Sequence, residues 1–347
     1  MRPEAIKREE LVPALIGAGI CLFFSRNSLL VLFFLMPLGF LAFRYGYRVA
    51  WGAVLLVIAG NTFIAVGTAV SHGFALTGTF WGVFYFAVVA SLFVWIIAPP
   101  PYSPLKICGT IRLVIGSSLS AVILIVMLLR TMASPGFLEH VAAITNSVAA
   151  RQGAGSDVVQ TALLAEVTPE MTLNFIRSTV FRGGALISSV LLFFLCRQLS
   201  FILARLFAKN KPLRISFQEI NSLVIFRVHP MLIWVLSASL LLVVMTHRAN
   251  LEIPGIILWN ILILCSIIYL AQGIGILQFF LARPTVTPFM KLLFSILFVV
   301  LMLSPGINVV LFGGVVLLGI AENWVPFRAP KSNGPPSTPE AGSDTGN

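Results

Sequence analysis

The stretch IILWNILILCSIIYLAQGIGILQFFL, residues 256–281, decides the fold class of this chain. It contains no charged residue, and it exceeds the about 20 apolar residues with which an α-helix crosses the hydrocarbon core of a bilayer. Lipid offers no hydrogen-bond partner to a backbone amide, so such a run is stable there only as a helix that bonds its own amides. The stretch therefore predicts a transmembrane helix.

Nine further apolar runs surround this one. In chain order they are Leu11–Phe24, Ser28–Phe43, Val49–Val70, Thr79–Ala98, Leu113–Met132, Phe181–Phe207, Val228–Met245, Phe289–Leu303 and Val309–Ala321. Only 10% of the residues are charged, against about a quarter in soluble proteins. The chain is thus predicted to be an all-α, polytopic integral membrane protein with about 8–10 transmembrane helices, because the first two and last two runs are short.

The basic residues predict the orientation of these spans. When both termini are placed in the cytoplasm, 16 of the 23 Lys and Arg residues fall on the inner side and 6 on the outer side, with Arg197 inside a span. Such an excess on the inner side is typical of multi-pass proteins. The net charge of +11 is spread over short loops, so we expect membrane lipids as partners and no nucleic acid.

Composition also divides the chain into segments. Two connecting segments are too long to be simple loops: an outer one with helix signals such as Thr168-Pro169-Glu170, and an inner one that contains a capping box at Ser216. The predicted organisation is a cytoplasmic N-terminus (1–10), spans 1–5 (11–132), an extracytoplasmic helical loop (133–180), spans 6–10 (181–328) with a cytoplasmic amphipathic helix near 216–227, and a disordered cytoplasmic tail (329–347).

Residue patterns for catalysis are missing from the sequence. No Asp or Glu occurs between Glu10 and Glu139, so the first five spans lack the carboxylate that proton-coupled transporters usually carry. There is no GxxxxGK[ST] loop, no HExxH or GxSxG motif and no CxxC pair, and the four cysteines read as small buried residues. We therefore predict no catalytic, cofactor-binding or metal-binding residue, and no enzyme.

Uncharged amide side chains inside the spans are the remaining candidates for a site. Asn61, Asn260, Gln272 and Gln278 are predicted to line a cavity for a small molecule, and the alternative is that each amide bonds to a neighbouring helix.

The order of several short motifs resembles the uncharacterised YybS-like membrane proteins of bacteria. The residues that carry the likeness are Pro37–Phe43 followed by Arg44-Tyr45-Gly46-Tyr47-Arg48, Phe226–Pro230, Ala271–Gly275, Thr287–Phe289 and Gly319–Trp324 before Arg328. The N-terminal part is also similar to the substrate-binding S components of energy-coupling factor transporters. The resemblance implies a multi-pass protein of the bacterial cytoplasmic membrane, and it implies ATPase and coupling subunits as partners for any transport.

Three functions stay open on these grounds. The first is binding or transport of a small molecule with the help of partner ATPases. The alternative is a membrane scaffold or accessory protein for envelope or signalling assemblies, whose partners are other membrane proteins. A membrane enzyme that acts on lipid is the third, and the missing acid and metal groups count against it.

Overall fold

A computed structural model of the chain describes residues 8–27, 30–72, 76–99, 109–133, 168–207, 222–224, 226–248, 252–304 and 306–328, and scattered positions between 137 and 147. Every regular element in these ranges is helical. The α-helices are α1 (Arg8–Arg26), α2 (Met36–Tyr45), α3 (Tyr47–His72), α4 (Leu76–Ile97), α5 (Gly109–Met132), α6 (Pro169–Phe175), α7 (Ala185–Leu206), α8 (Leu232–Arg248), α9 (Glu252–Ala282), α10 (Pro288–Leu303) and α11 (Ile307–Ala321). Short 3-10 turns occupy Val31–Phe33 and Ser222–Val224.

Five stretches among the described residues are long and apolar enough to cross a membrane. They are Tyr47–Thr68, Phe80–Ile97, Gly109–Met132, Pro169–Leu206 and Ile253–Ala282. Each overlaps one of the predicted spans, so the all-α character of the sequence prediction is confirmed, and these five stretches are compatible with a multi-pass protein. Four shorter apolar segments, Val31–Tyr45, Leu232–Arg248, Pro288–Phe298 and Ile307–Ala321, correspond to other predicted spans.

The chain divides into two compact units, Met1–Ile268 and Tyr269–Asn347. Unit 1 is built around α2, which has only 10 residues and a length of about 15 Å. Leu35, Leu38 and Phe43 are fully buried there, in a core that α1, α3, α4 and α7 complete. Gly39 brings α2 close to α7, because a Cβ atom at this position would collide with the Ser200 side chain.

The connection between α1 and α2 differs from the sequence prediction. Residues 28–43 were expected to form one span, but the structure has a 3-10 turn at Val31–Phe33 before α2 begins. Pro37 is the physical reason for the late start, since it lies in the first turn of α2, where its missing N–H costs no hydrogen bond. The apolar run is therefore a broken segment rather than one continuous helix.

Three side chains hydrogen-bond the backbone of this broken segment. The Cys21 thiol donates to the carbonyl oxygen of Phe34 (2.9 Å), and the Cys196 thiol donates to that of Leu32 (3.2 Å). The Ser200 hydroxyl, which also lies against the carbonyl of Cys196, donates to the carbonyl oxygen of Met36 (2.9 Å). A buried carbonyl at a helix interruption needs a hydrogen-bond partner, so these donors stabilise the break. The two cysteines, predicted to be only small buried residues, have this added role.

The helix start that the sequence predicted at Thr168-Pro169-Glu170, ahead of the sixth predicted span, is present in the structure. Thr168 caps α6, and its hydroxyl accepts the amide of Met171 (3.3 Å), while Pro169 and Glu170 occupy the first turn. A π-helical stretch, Ile176–Gly184, then leads into α7. Gly183 lies at a kink with φ +119°, a backbone conformation that a side chain rarely adopts.

Unit 2 consists of the end of α9 with α10 and α11. Thr287 caps α10 as Thr168 caps α6, by accepting the amide of Met290 (3.3 Å). Gly273 and Gly319 lie where α9 and α11 meet, because a Cβ atom on either would collide with backbone atoms of the other helix.

Several sequence predictions concern residues outside the described ranges. They are the first seven residues, most of the extracytoplasmic loop 133–180, the amphipathic helix near 216–227 apart from its last positions, and the tail 329–347. These remain predictions.

Candidate functional site

A polar cavity of about 250 Å³ lies in unit 1, between the end of α1, the second half of α3 and the first half of α4. Its lining comprises Ser25, Arg26, Asn61, Ala65, Thr68, Gly82, Val83 and Phe86. We refer to it as the Arg26 cavity. Asn61, Ala65 and Thr68 follow one another at intervals of four and three residues, so they form one face of α3.

Two close approaches explain why the cavity forms where it does. Gly60 lets α1 approach α3, because a Cβ atom there would come within 2.6 Å of the Leu22 side chain. Leu22 lies four residues, about one helical turn, before Arg26. Gly60 directly precedes Asn61. On the other wall, a Cβ atom on Gly82 would meet nothing within 4 Å, so the missing side chain leaves space.

The Arg26 cavity adjoins the broken segment. Phe86, which lines the cavity, stacks on Phe34 with ring centroids 4.6 Å apart and planes inclined by 29°. Phe34 follows the 3-10 turn directly, and its carbonyl is the one that Cys21 bonds. The cavity is thereby in contact with the broken segment that precedes α2.

An arginine–amide pair supplies most of the polarity of the cavity. Arg26 Nη2 donates to Asn61 Oδ1 at 2.9 Å, and Asn61 is buried. The hydroxyls of Ser25 and Thr68 donate to the carbonyl oxygens of Leu22 (2.8 Å) and Ala65 (2.9 Å) within their own helices. Their oxygen lone pairs therefore remain available to accept hydrogen bonds from a ligand.

The electrostatic character of the Arg26 cavity is positive. Among the described residues that line the cavity, Arg26 is the one with a charge, and the sequence places no Asp or Glu between Glu10 and Glu139. Arg26 also lies in the last turn of α1, where the helix dipole favours a cation. The site can therefore offer charged N–H donors, an amide and hydroxyl acceptors to a small polar molecule.

Asn260, also in unit 1, hydrogen-bonds to backbone carbonyl oxygens. Its Nδ2 donates to the carbonyl oxygens of Phe181 (2.6 Å) and Ile256 (2.8 Å). Phe181 belongs to the π-helical stretch, whose altered spacing changes the pairing of its carbonyls. Asn260 thus satisfies a carbonyl at a helix irregularity, as the helix-bonding alternative for these amides predicted.

Gln272 belongs to a buried polar network in unit 2. Its Nε2 donates to the carbonyl oxygen of Gly319 (3.0 Å) and to Oε2 of Glu322 (3.0 Å). Glu322 in turn pairs with Arg328, whose Nε lies 2.6 Å from Oε1 and whose Nη2 bonds Oε2. Both charged side chains are 3% exposed, so this network holds the end of α11 and the turn that follows it.

Of the four predicted cavity residues, Asn61 lines the Arg26 cavity. Gln278 is exposed, and Asn260 and Gln272 are used in the bonds given above. Sequence reasoning missed Arg26, Ser25 and Thr68 as site residues. The available signal was Arg26 itself, because it closely follows the apolar run Leu11–Phe24 and is one of the six basic residues on the predicted outer side.

Groups of three or more His, Cys, Asp or Glu that could hold a metal ion do not occur among the described residues. Comparison of the chain with protein-family models, curated proteins and solved structures finds no match.

Proposed function

We propose that this chain is a multi-pass protein of the bacterial cytoplasmic membrane, with both termini inside, that binds a small molecule in the Arg26 cavity and takes part in its transport. Partner ATPase and coupling subunits would supply the energy, since the sequence contains no nucleotide-binding loop and no carboxylate in its first five predicted spans. The Arg26–Asn61 pair is the observation that carries this proposal.

The position of the pair supports a role in binding. Asn61 lies near the middle of α3, whose 26 residues span about 39 Å, so a membrane-spanning α3 places Asn61 close to the bilayer midplane. Polar and charged groups at that depth are costly, and they are retained mainly where they bind a substrate or pair with each other. Arg26 reaches Asn61 from the exposed end of α1, and an amide partner does not neutralise its charge.

The route to the cavity follows from the same helix. Its lining extends from Asn61 at mid-helix to Thr68, which lies about one turn before the end of α3 at His72. The distribution of Lys and Arg predicts that this end faces the outer side. A ligand would then enter from outside the cell, as in uptake.

Cysteine labelling tests the orientation. In a Cys108→Ser background, where Cys21, Cys196 and Cys265 are buried, a cysteine at exposed Ser71 near the end of α3 is expected to react with a membrane-impermeant maleimide in intact spheroplasts. A cysteine at exposed Ala282, the last residue of α9, is expected to react only after permeabilisation. The opposite pattern would reverse the predicted topology and would make the cavity open to the cytoplasm.

Filling the cavity tests the binding function. Wild-type protein purified in mild detergent is expected to retain a small molecule at near-stoichiometric amount, measured by native mass spectrometry, and Gly82→Leu is expected to lose it. Gly82 lines the cavity, and nothing lies within 4 Å of a Cβ atom built there, so the position has room for an added side chain. Gly67→Leu is the matched control: it lies on α3, is exposed, and is equally free of neighbours.

Two results would overturn this function. One is a wild-type protein without any retained small molecule, and the other is a Gly82→Leu protein that keeps it. If the purified protein then carries other envelope or signalling proteins instead of ATPase subunits, the scaffold alternative becomes the working hypothesis.

A further inference from the structure

We infer that the ligand of the Arg26 cavity carries an anionic group, a carboxylate or a phosphate, which Arg26 holds. This inference rests on the proposed function and adds the chemical class of the ligand. It follows from the charge of the lining, from the geometry of the arginine and from the size of the space.

The charge of the cavity is the first argument. Arg26 is the one ionised group in the part of the lining that the structure describes, and α1 after Glu10 through α5 carries no carboxylate that could act as its counter-ion. Arg26 is exposed at the end of α1, and a positive charge without a carboxylate beside it attracts an opposite charge. A ligand anion supplies that opposite charge.

The geometry of the arginine is the second argument. A guanidinium has five N–H donors in a planar fork that matches the two oxygens of a carboxylate or phosphate. The bond from Nη2 to Asn61 Oδ1 uses one donor and fixes the plane of the group. Asn61, which also lines the cavity, therefore acts as a positioning residue for Arg26.

The remaining lining describes the rest of the ligand. The Ser25 and Thr68 oxygens accept hydrogen bonds, whereas Ala65, Val83 and Phe86 offer an apolar wall. A volume of about 250 Å³ is smaller than the roughly 300–1,000 Å³ of pockets for drug-sized ligands. The geometry thus fits a small anion with a hydroxyl or amino donor and an apolar part.

Anion titration of the full-length protein tests the inference. The probes are inorganic phosphate and acetate, added at constant ionic strength against chloride, and the readout is the thermal unfolding midpoint in neutral detergent. The midpoint of the wild type is expected to rise with one or both probes. Arg26→Gln is expected to weaken the apparent affinity about 10- to 100-fold, because a charge-assisted bond is lost, and Arg26→Lys to restore part of it. Arg130→Gln, which removes an exposed arginine from the last turn of α5, is the matched control and should leave the affinity unchanged.

A second arm separates two sources of the anion. The same proteins are reconstituted in nanodiscs of phosphatidylcholine alone or with phosphatidylglycerol. A midpoint that rises with phosphate or acetate in phosphatidylcholine supports a water-soluble anion. A rise that requires phosphatidylglycerol and is lost in Arg26→Gln supports a lipid headgroup held by the same arginine.

The failure of this inference is distinct from failure of the proposed function. If Gly82→Leu loses a retained small molecule but Arg26→Gln keeps it, and neither probe nor lipid shifts the midpoint through Arg26, then the cavity binds a neutral ligand and the anion inference is wrong. If the wild type retains nothing and responds to nothing, the proposed function fails with it.

Discussion

Gly319→Ala is expected to lower the thermal unfolding midpoint of the purified protein strongly, with a cost of at least about 1–3 kcal/mol. A Cβ atom at Gly319 would overlap the carbonyl oxygen of Tyr269 and come within 3.0 Å of the amide of Gly273. Backbone atoms cannot rotate away as a side chain does, so α11 and the end of α9 must separate. That separation also lengthens the hydrogen bond from Gln272 to the Gly319 carbonyl.

Gly313→Ala provides the control for this prediction. It lies on the same helix, and a Cβ atom there meets nothing within 4 Å. Alanine is favoured over glycine inside a helix by about 1 kcal/mol, so this variant should be unchanged or slightly more stable. Equal midpoints for the two alanine variants, measured in the same detergent, would show that the two helices do not pack at Gly319.

Removing either partner of the Glu322–Arg328 pair is expected to destabilise unit 2 by about 3–5 kcal/mol. Both side chains are 3% exposed, so Glu322→Ala leaves a buried guanidinium without its carboxylate. Arg328→Ala leaves the carboxylate with Gln272 as its neutral partner (3.0 Å). Either variant should unfold at clearly lower temperature or denaturant concentration than the wild type.

A double-mutant cycle separates the interaction energy between Glu322 and Arg328 from the other effects of truncating each side chain. The Glu322→Ala, Arg328→Ala double variant should lose much less unfolding free energy than the sum of the two single variants. The double variant removes both charges, so no buried charge remains without its partner. Additive costs would mean that the two side chains stabilise the protein independently. The midpoint of urea or detergent unfolding, followed by helicity, gives the three free-energy differences.

The long helices could be predicted from sequence because lipid imposes a simple condition on them. The run Val49–Val70 predicted α3 at Tyr47–His72, and the run Leu113–Met132 predicted α5 at Gly109–Met132. A continuous apolar stretch has to satisfy its amides internally, and a helix is the local solution. Composition alone therefore suffices where the helix is long and uninterrupted.

The broken segment before α2 could not be predicted in the same way. Its hydropathy is that of a span, and the donors that stabilise its irregular backbone are Cys21, Cys196 and Ser200. Two of them come from α7, which is remote in sequence, and thiols and hydroxyls occur throughout the apolar runs. Pro37 was the only local signal, and it marks a helix start without excluding a kink.

Of the two residues that form the Arg26–Asn61 pair, the sequence identified one as a site residue. Asn61 was identified because an amide in an apolar run is unusual, whereas Arg26 was interpreted only as a mark of topology. Their contact depends on the approach of α1 to α3 at Gly60 and Leu22, a tertiary feature that one sequence does not contain. Gln272 was identified for the same reason as Asn61, but its partners Gly319 and Glu322 lie 47 and 50 residues away.

The donors from α7 also set an order of events during synthesis. Cys196 and Ser200 each bond a carbonyl that lies 164 residues earlier in the chain. At about 5–20 residues per second, the ribosome needs roughly 8–33 s to make that interval. During this time α1, the 3-10 turn and α2 are already made, but Leu32 and Met36 lack these two donors. The packing of α1 against α2 is thus completed by a helix made much later, and the broken segment acquires its final hydrogen bonds only when α7 has folded against it.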